Sequence, residues 1–106
     1  MSARGVAYHP EAEAEFLAAI GWYEDQWSGL GGELLTELRL IEIAVSEHAE
    51  TFPPAFDADD ESVRQARVHR FPYRMVFFED HQGALFVVAV AHSSQRPGYW
   101  KTRLQG

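Results

Sequence analysis

Residues able to carry protons or hold phosphate gather in the second half of this sequence. His92 lies four residues before Arg96 and seven before Tyr99, so one bend would bring an imidazole, a guanidinium and a phenol together. Gln65, Arg67 and His69 alternate with Ala66 and Val68, which reads as a strand with one polar and one buried face, and it puts Arg67 and His69 on the same side. Metal-free RNA cleavage needs such groups: a base for the 2′-hydroxyl proton, cations on the scissile phosphate and an acid for the departing 5′-oxygen. Histidine carries protons near neutral pH. His92, Arg67, Arg96 and Tyr99 are therefore the candidate catalytic set. A structural reading stands beside it, in which His92 only closes an apolar strand and bonds to nearby backbone.

Arg64, Arg67, Arg70 and Arg74, with Arg103 further on, form a second constellation. Guanidinium grips phosphate and carboxylate equally well through paired donors. These arginines could meet nucleic acid, an acidic protein partner, or acids of their own chain. Residues 1–61 hold 14 acids and two bases (2 − 14 = −12), whereas residues 62–106 hold seven bases and two acids (7 − 2 = +5), for a net charge of −7. The acidic total argues against wholesale nucleic-acid binding and leaves room for a local basic patch.

Other chemistries fail on inventory. The chain has no cysteine, which excludes disulfides, thiolate nucleophiles and cysteine-ligated metals and fits a reducing compartment, so a cytoplasmic location is expected. It has no glycine-rich phosphate loop, nucleophile elbow or i, i+4 histidine pair. No metal or cofactor is expected. No apolar run approaches the ~18 residues of a membrane span, and the first residues lack the apolar stretch of a signal peptide, so neither insertion nor secretion is expected. The acidic clusters Glu24-Asp25 and Asp59-Asp60-Glu61 read as a helix end and a solvated loop.

The elements that must position these groups fit one domain over residues 1–106, since single cores occupy roughly 100–200 residues. Gly5 to Tyr8 is a short candidate strand. A helix is predicted from Pro10, with Ala12, Phe16, Ala19, Ile20, Tyr23 and Trp27 on its buried face, ended by the run Ser28 to Gly32. A second helix is predicted from near Glu33 to about His48, with Leu34, Leu38, Ile41 and Val45 as its stripe. Residues 51–61 read as a loop. The strand around Arg67 stops at Pro72, and Met75–Phe78 and Ala84–Ala91 read as central strands joined by a turn at Gly83. The order β-α-α-β-β-β predicts an α+β fold, an αα-hairpin packed on one face of a mostly antiparallel sheet. Trp27 is expected in the core, and Trp100 is expected to pack the tail onto the sheet. Trp22 falls about 100° off the buried face, where it could flank the core or meet a partner. Leu40 and Ile43 lie opposite the stripe of the second helix, as if a partner helix covered them.

This order, with particular strings, resembles the RelE/ParE toxin family of toxin–antitoxin modules, which includes plasmid stabilisation proteins. The strings are YHPEA at 8–12, Trp22-Tyr23, VRQARVHRFPYR at 63–74, VAVAH at 88–92, then RPGYW at 96–100 and Arg103. The resemblance spans nearly the whole chain. It implies a compact toxin held inactive in a hetero-oligomer by a cognate antitoxin, whose extended or helical segment wraps it. RelE-like toxins cut messenger RNA on the ribosome without metal, and ParE-like toxins poison DNA gyrase and lack a cleavage site. RelE-like ribonucleases are typically lysine-rich, whereas Lys101 is the single lysine here, so the resemblance implies a ParE-like, target-binding toxin. A metal-independent ribonuclease and an inactive relative that keeps only its binding partner are the alternatives.

Overall fold

The computed structural model describes residues 5–105. Strand β1 (Val6–Tyr8) is followed by helices α1 (Pro10–Gln26) and α2 (Leu30–His48), then by strands β2 (Arg64–Arg67), β3 (Tyr73–Glu79) and β4 (Leu85–His92). One sheet results, in the order β1-β4-β3-β2, with β1 parallel to β4 and the other pairs antiparallel. The α+β architecture expected from the sequence is the one observed.

Local chemistry explains the helix boundaries. Pro10 takes the first helical position, where its missing N–H costs nothing, and the His9 imidazole accepts the Glu11 N–H. The helix stops at Gln26, and the expected terminator is a starter instead. Gly29 adopts a left-handed φ of 93°, and Leu30, Gly31 and Gly32 form the first turn of α2. The Glu24 carboxylate caps that turn from the neighbouring helix, accepting the N–H groups of Gly29 and Gly31 at 3.0 Å each. The helices approach closely at Gly31, where an added Cβ would lie 2.6 Å from the Ile20 carbonyl oxygen.

Trp27 does not join the core. The helix has ended one residue earlier, Trp27 is extended (φ −156°, ψ 125°), and its side chain is swung off the buried face to 74% exposure.

Ala12, Phe16, Ala19, Leu34, Leu38 and Val45 cover one face of the sheet, against Met75, Phe77, Leu85, Val87 and Val90. A bulge lets β4 serve both faces. Val76 pairs with Ala89 and Phe77 with Val87, leaving Val88 as the extra residue that shifts the alternation. The opposite face carries Val76, Val88, Ala89 and Ala91 beneath Ala55, Val63 and Trp100. Trp100 is fully buried, as expected. With this second cover the middles of β3 and β4, Met75–Phe77 and Val87–Ala91, are buried on both faces of the sheet. The cover also corrects the alternation expected in β2: Gln65 is buried beside Ala66, under the loop before the strand, with its Oε1 accepting from Phe56 N–H and Arg74.

One carboxylate fastens the cover. Asp57, 3% exposed at its side chain, receives both terminal nitrogens of Arg74 at 2.9 and 2.6 Å. It also accepts the Gly98 N–H at 2.7 Å and the Trp100 indole N–H at 3.1 Å. Burial alone would push this carboxyl up, but the Arg74 fork and the two N–H donors outweigh it and hold its pKa below the ordinary aspartate range.

Three stability outcomes follow from these contacts. Gly31→Ala should cost about 1–3 kcal/mol in urea unfolding, because the new methyl meets backbone. Gly32→Ala, whose methyl meets nothing within 4 Å, should be neutral or stabilise by up to ~1 kcal/mol. Asp57→Asn should lose about 3 kcal/mol at neutral pH, because it leaves Arg74 buried without its counter-charge. A folded pKa below the unfolded value of about 3.9 means that the ionised group stabilises fully above about pH 5 and loses that effect as pH falls through the folded pKa. The gap between wild type and variant should therefore close in acid, and an equal gap at pH ~2 and pH ~7 would contradict this account.

Candidate functional site

The end of β4 and the β2–β3 turn enclose an open groove of about 190 Å³, with Arg67, Phe71, Tyr73, Arg74, His92 and Gln95 on its walls. His92 faces Tyr73 across the strand pair, with rings edge to face at 5.0 Å. Its backbone N–H donates to Gln95 Oε1 at 2.8 Å. Its Nδ1 accepts the Ser94 N–H at 3.0 Å, and the Ser94 hydroxyl lies 2.8 Å away. An accepting Nδ1 puts the proton of the neutral ring on Nε2, leaving that nitrogen for exchange with a bound group. Burial, followed by the neighbouring Tyr23, pushes the Tyr73 phenol up, so it stays a neutral donor.

The four candidate catalytic residues do not assemble as a set. Arg67 and His92 share the groove. Arg96 and Tyr99 are not on its walls, and Tyr99 turns its hydroxyl to Glu15, donating at 2.9 Å. Burial and that hydrogen bond raise the Tyr99 phenol well above its ordinary range, fixing it as a protonated donor. Tyr73 takes the place in the groove that sequence reasoning assigned to Tyr99. Its signal was present in the register, since Tyr73 and His92 are cross-strand partners.

Most of the arginines serve the chain itself. Arg74 is held by Asp57. Arg103 forks onto Glu15 at 3.0 and 2.8 Å and also donates to the Val88 carbonyl at 3.1 Å. Hydrogen bonding to Glu15 raises its already high pKa. Arg70 pairs with Glu33 at 2.7 Å at the surface, and Arg64 donates to the Phe52 carbonyl. Arg67 and Arg96 form no ion pair with a described carboxylate. Sequence reasoning missed both carboxylate hubs. Glu15 carries no distinguishing signal in the sequence, and Asp57 falls in residues 51–61, which read as a loop. Glu15 also accepts the Val90 N–H at 3.0 Å, so it ties α1 to β4 and to the tail.

Trp22, Leu40 and Ile43 are each more than half exposed, as their helical positions suggested, and Leu17 joins them at 62%. Among the described residues, no three His, Asp or Glu side chains gather where they could hold a metal ion. No described helix is long and apolar enough to cross a membrane.

No protein-family model and no curated protein matches the chain. Solved structures do. A chain of the chromosomal ParDE toxin–antitoxin system from P. aeruginosa superposes with a TM-score of 0.67 at 12% identity, covering 84% of this chain and 95% of that one. The structure of E. coli toxin RelE, an arginine-substituted mutant in complex with an antitoxin RelBc peptide, gives a TM-score of 0.53 at 16% identity, covering 95% of each chain. A helical hairpin on a four-stranded mixed sheet, matched over most of its length by both structures, gives this protein the RelE/ParE toxin fold.

Proposed function

We propose that the chain is the toxin of a toxin–antitoxin module, ParE-like in action: it arrests growth by binding a cellular target, and a cognate antitoxin neutralises it. DNA gyrase is the target that the sequence resemblance implies. The protein would work in the cytoplasm, in keeping with its lack of cysteine. The observation that carries the binding reading over a cleaving one is the commitment of Arg74, Arg103 and Tyr99 to Asp57 and Glu15. A metal-free ribonuclease needs such cations and a proton donor aimed at the phosphate. Here they are neutralised inside the fold.

A specific observation favours the second reading, a metal-independent ribonuclease of messenger RNA: His92, Arg67 and Tyr73 line one groove. That set holds a proton carrier, a cation and a phenol, enough for general acid–base work on a bound nucleotide.

Induction of the chain alone, and together with the product of its neighbouring gene, separates the readings. The proposal expects growth arrest with accumulation of gyrase-cleaved DNA, intact transcripts and rescue by the neighbour. Cleavage of RNA in EDTA by the purified protein, lost by roughly 100-fold or more in His92→Ala, would replace it with the ribonuclease. Unchanged growth on induction would leave an inactive relative.

A further inference from the structure

The two sides of the sheet are closed in different ways. Along β2 the closure is main chain: the Gln65 N–H donates to the Pro53 carbonyl at 3.0 Å, and the Ala55 N–H to the Val63 carbonyl at 2.9 Å. Beside β4 it is not. β1 pairs only with Leu85, Phe86 and Val87, and the His9 N–H donates to the Val87 carbonyl at 2.9 Å as the chain leaves β1. From Val88 to His92, β4 has no strand on that side among the described residues. A run of N–H and C=O groups with no strand beside it, and no Asp, Glu, Lys or Arg in it, is a template for pairing with another chain.

Three side chains take up these main-chain groups. Arg103 donates to the Val88 carbonyl at 3.1 Å, Glu15 accepts the Val90 N–H at 3.0 Å, and Gln95 Oε1 accepts the His92 N–H at 2.8 Å. A strand residue turns its N–H and C=O to the same neighbour, so the Val90 carbonyl faces this side too. Glu15 comes from α1 on one face of the sheet, and Arg103 from the tail that covers the other. Their ion pair at 2.8 Å, and the Tyr99 hydroxyl on the same carboxylate, therefore close around the edge of β4. A groove of about 280 Å³ runs beside it, walled by Glu15, Ala18, Trp22, Tyr73, His92 and Gln95.

We infer that Glu15, Arg103 and Gln95 form a side-chain seal on this edge, and that the occupant they exclude is the same edge of a second copy of the chain. Register selects that occupant. With Val90 opposite its twin in an antiparallel pair, each Val90 N–H would meet the other's carbonyl, and each His92 N–H the other's Val88 carbonyl. Those are the groups that the seal holds. Such a joint is self-complementary under a two-fold axis and carries no charge across it. It would also cover Tyr73, His92 and Gln95, which wall the groove at the β2–β3 turn as well, so the seal keeps that groove open. The inference concerns assembly and does not depend on which cellular target the protein binds.

Glu15→Ala with Arg103→Ala opens the seal without leaving either charge buried alone. Size-exclusion chromatography with light scattering, at about 10 µM and about 200 µM, reads the assembly of the full chain. Wild type should stay at 12.0 kDa across that range. The double variant should move toward twice that mass as concentration rises. Adding His92→Pro removes an N–H that points away from β3 and should return the double variant to the monomer. Gln95→Ala touches neither ionic anchor, so it decides the matter if the double variant fails to fold. Its His92 amide should exchange with solvent roughly tenfold faster than in wild type in dilute solution, and slow again as concentration rises. Circular dichroism and urea melts establish that the variants fold. A folded double variant that stays monomeric, a dimer that survives His92→Pro, a wild-type dimer that His92→Pro disperses, or exchange in Gln95→Ala that ignores concentration would each overturn the inference.

Discussion

A buried ionised group must find its counter-charge inside the protein, because the energy of leaving it bare exceeds that of most single contacts. Two carboxylates from the acidic first half meet that demand for the basic second half. Asp57 takes Arg74, and Glu15 takes Arg103. Each also binds groups that are not charged: the Gly98 and Trp100 N–H groups in one case, the Val90 N–H and Tyr99 hydroxyl in the other. These two anchors draw the chain after β4 back across the sheet. The apolar second face is then shut beneath Trp100, and the middles of β3 and β4 become buried on both sides.

The same pairing redistributes the electrostatics. A chain that reads as −12 in one part and +5 in the other does not fold into a molecule with a bare acidic pole and a bare basic pole. The cations of the second half are largely neutralised where they stand, and the surplus of acid remains on the hairpin. Guanidinium groups at 10% exposure cannot be offered to a phosphate without unmaking the contacts that hold the tail. The groove at His92 keeps Arg67 outside this bookkeeping, which is why it is the place where nucleotide chemistry can still be argued.

Architecture was readable from local pattern. The Pro10 start, the stripe of Leu34, Leu38 and Val45, the Gly83 turn and the unbroken apolar runs of the central strands each depend on residues within a few positions of one another. The errors were also local in origin. Trp27 keeps the helical spacing of its predecessors but lies one residue past the helix end. Leu30 to Gly32 has the composition of a terminator, yet Glu24 on the opposite helix supplies the cap that makes it a beginning. The outward strand residue Gln65 was misplaced because nothing near it in the chain announces the loop that covers it.

Composition and periodicity by themselves determined the element types, their order, the helical hairpin over a mostly antiparallel sheet, and the exposed apolar pair at Leu40 and Ile43. Tertiary structure alone decided which acids answer which arginines, because Asp57 and Arg74 are 17 positions apart and Glu15 and Arg103 are 88. Helix and strand patterns are written by steric and solvation preferences that repeat every few residues. Ion pairing across such separations depends on where the packed sheet happens to place each side chain, and no short-range signal in the chain carries that information.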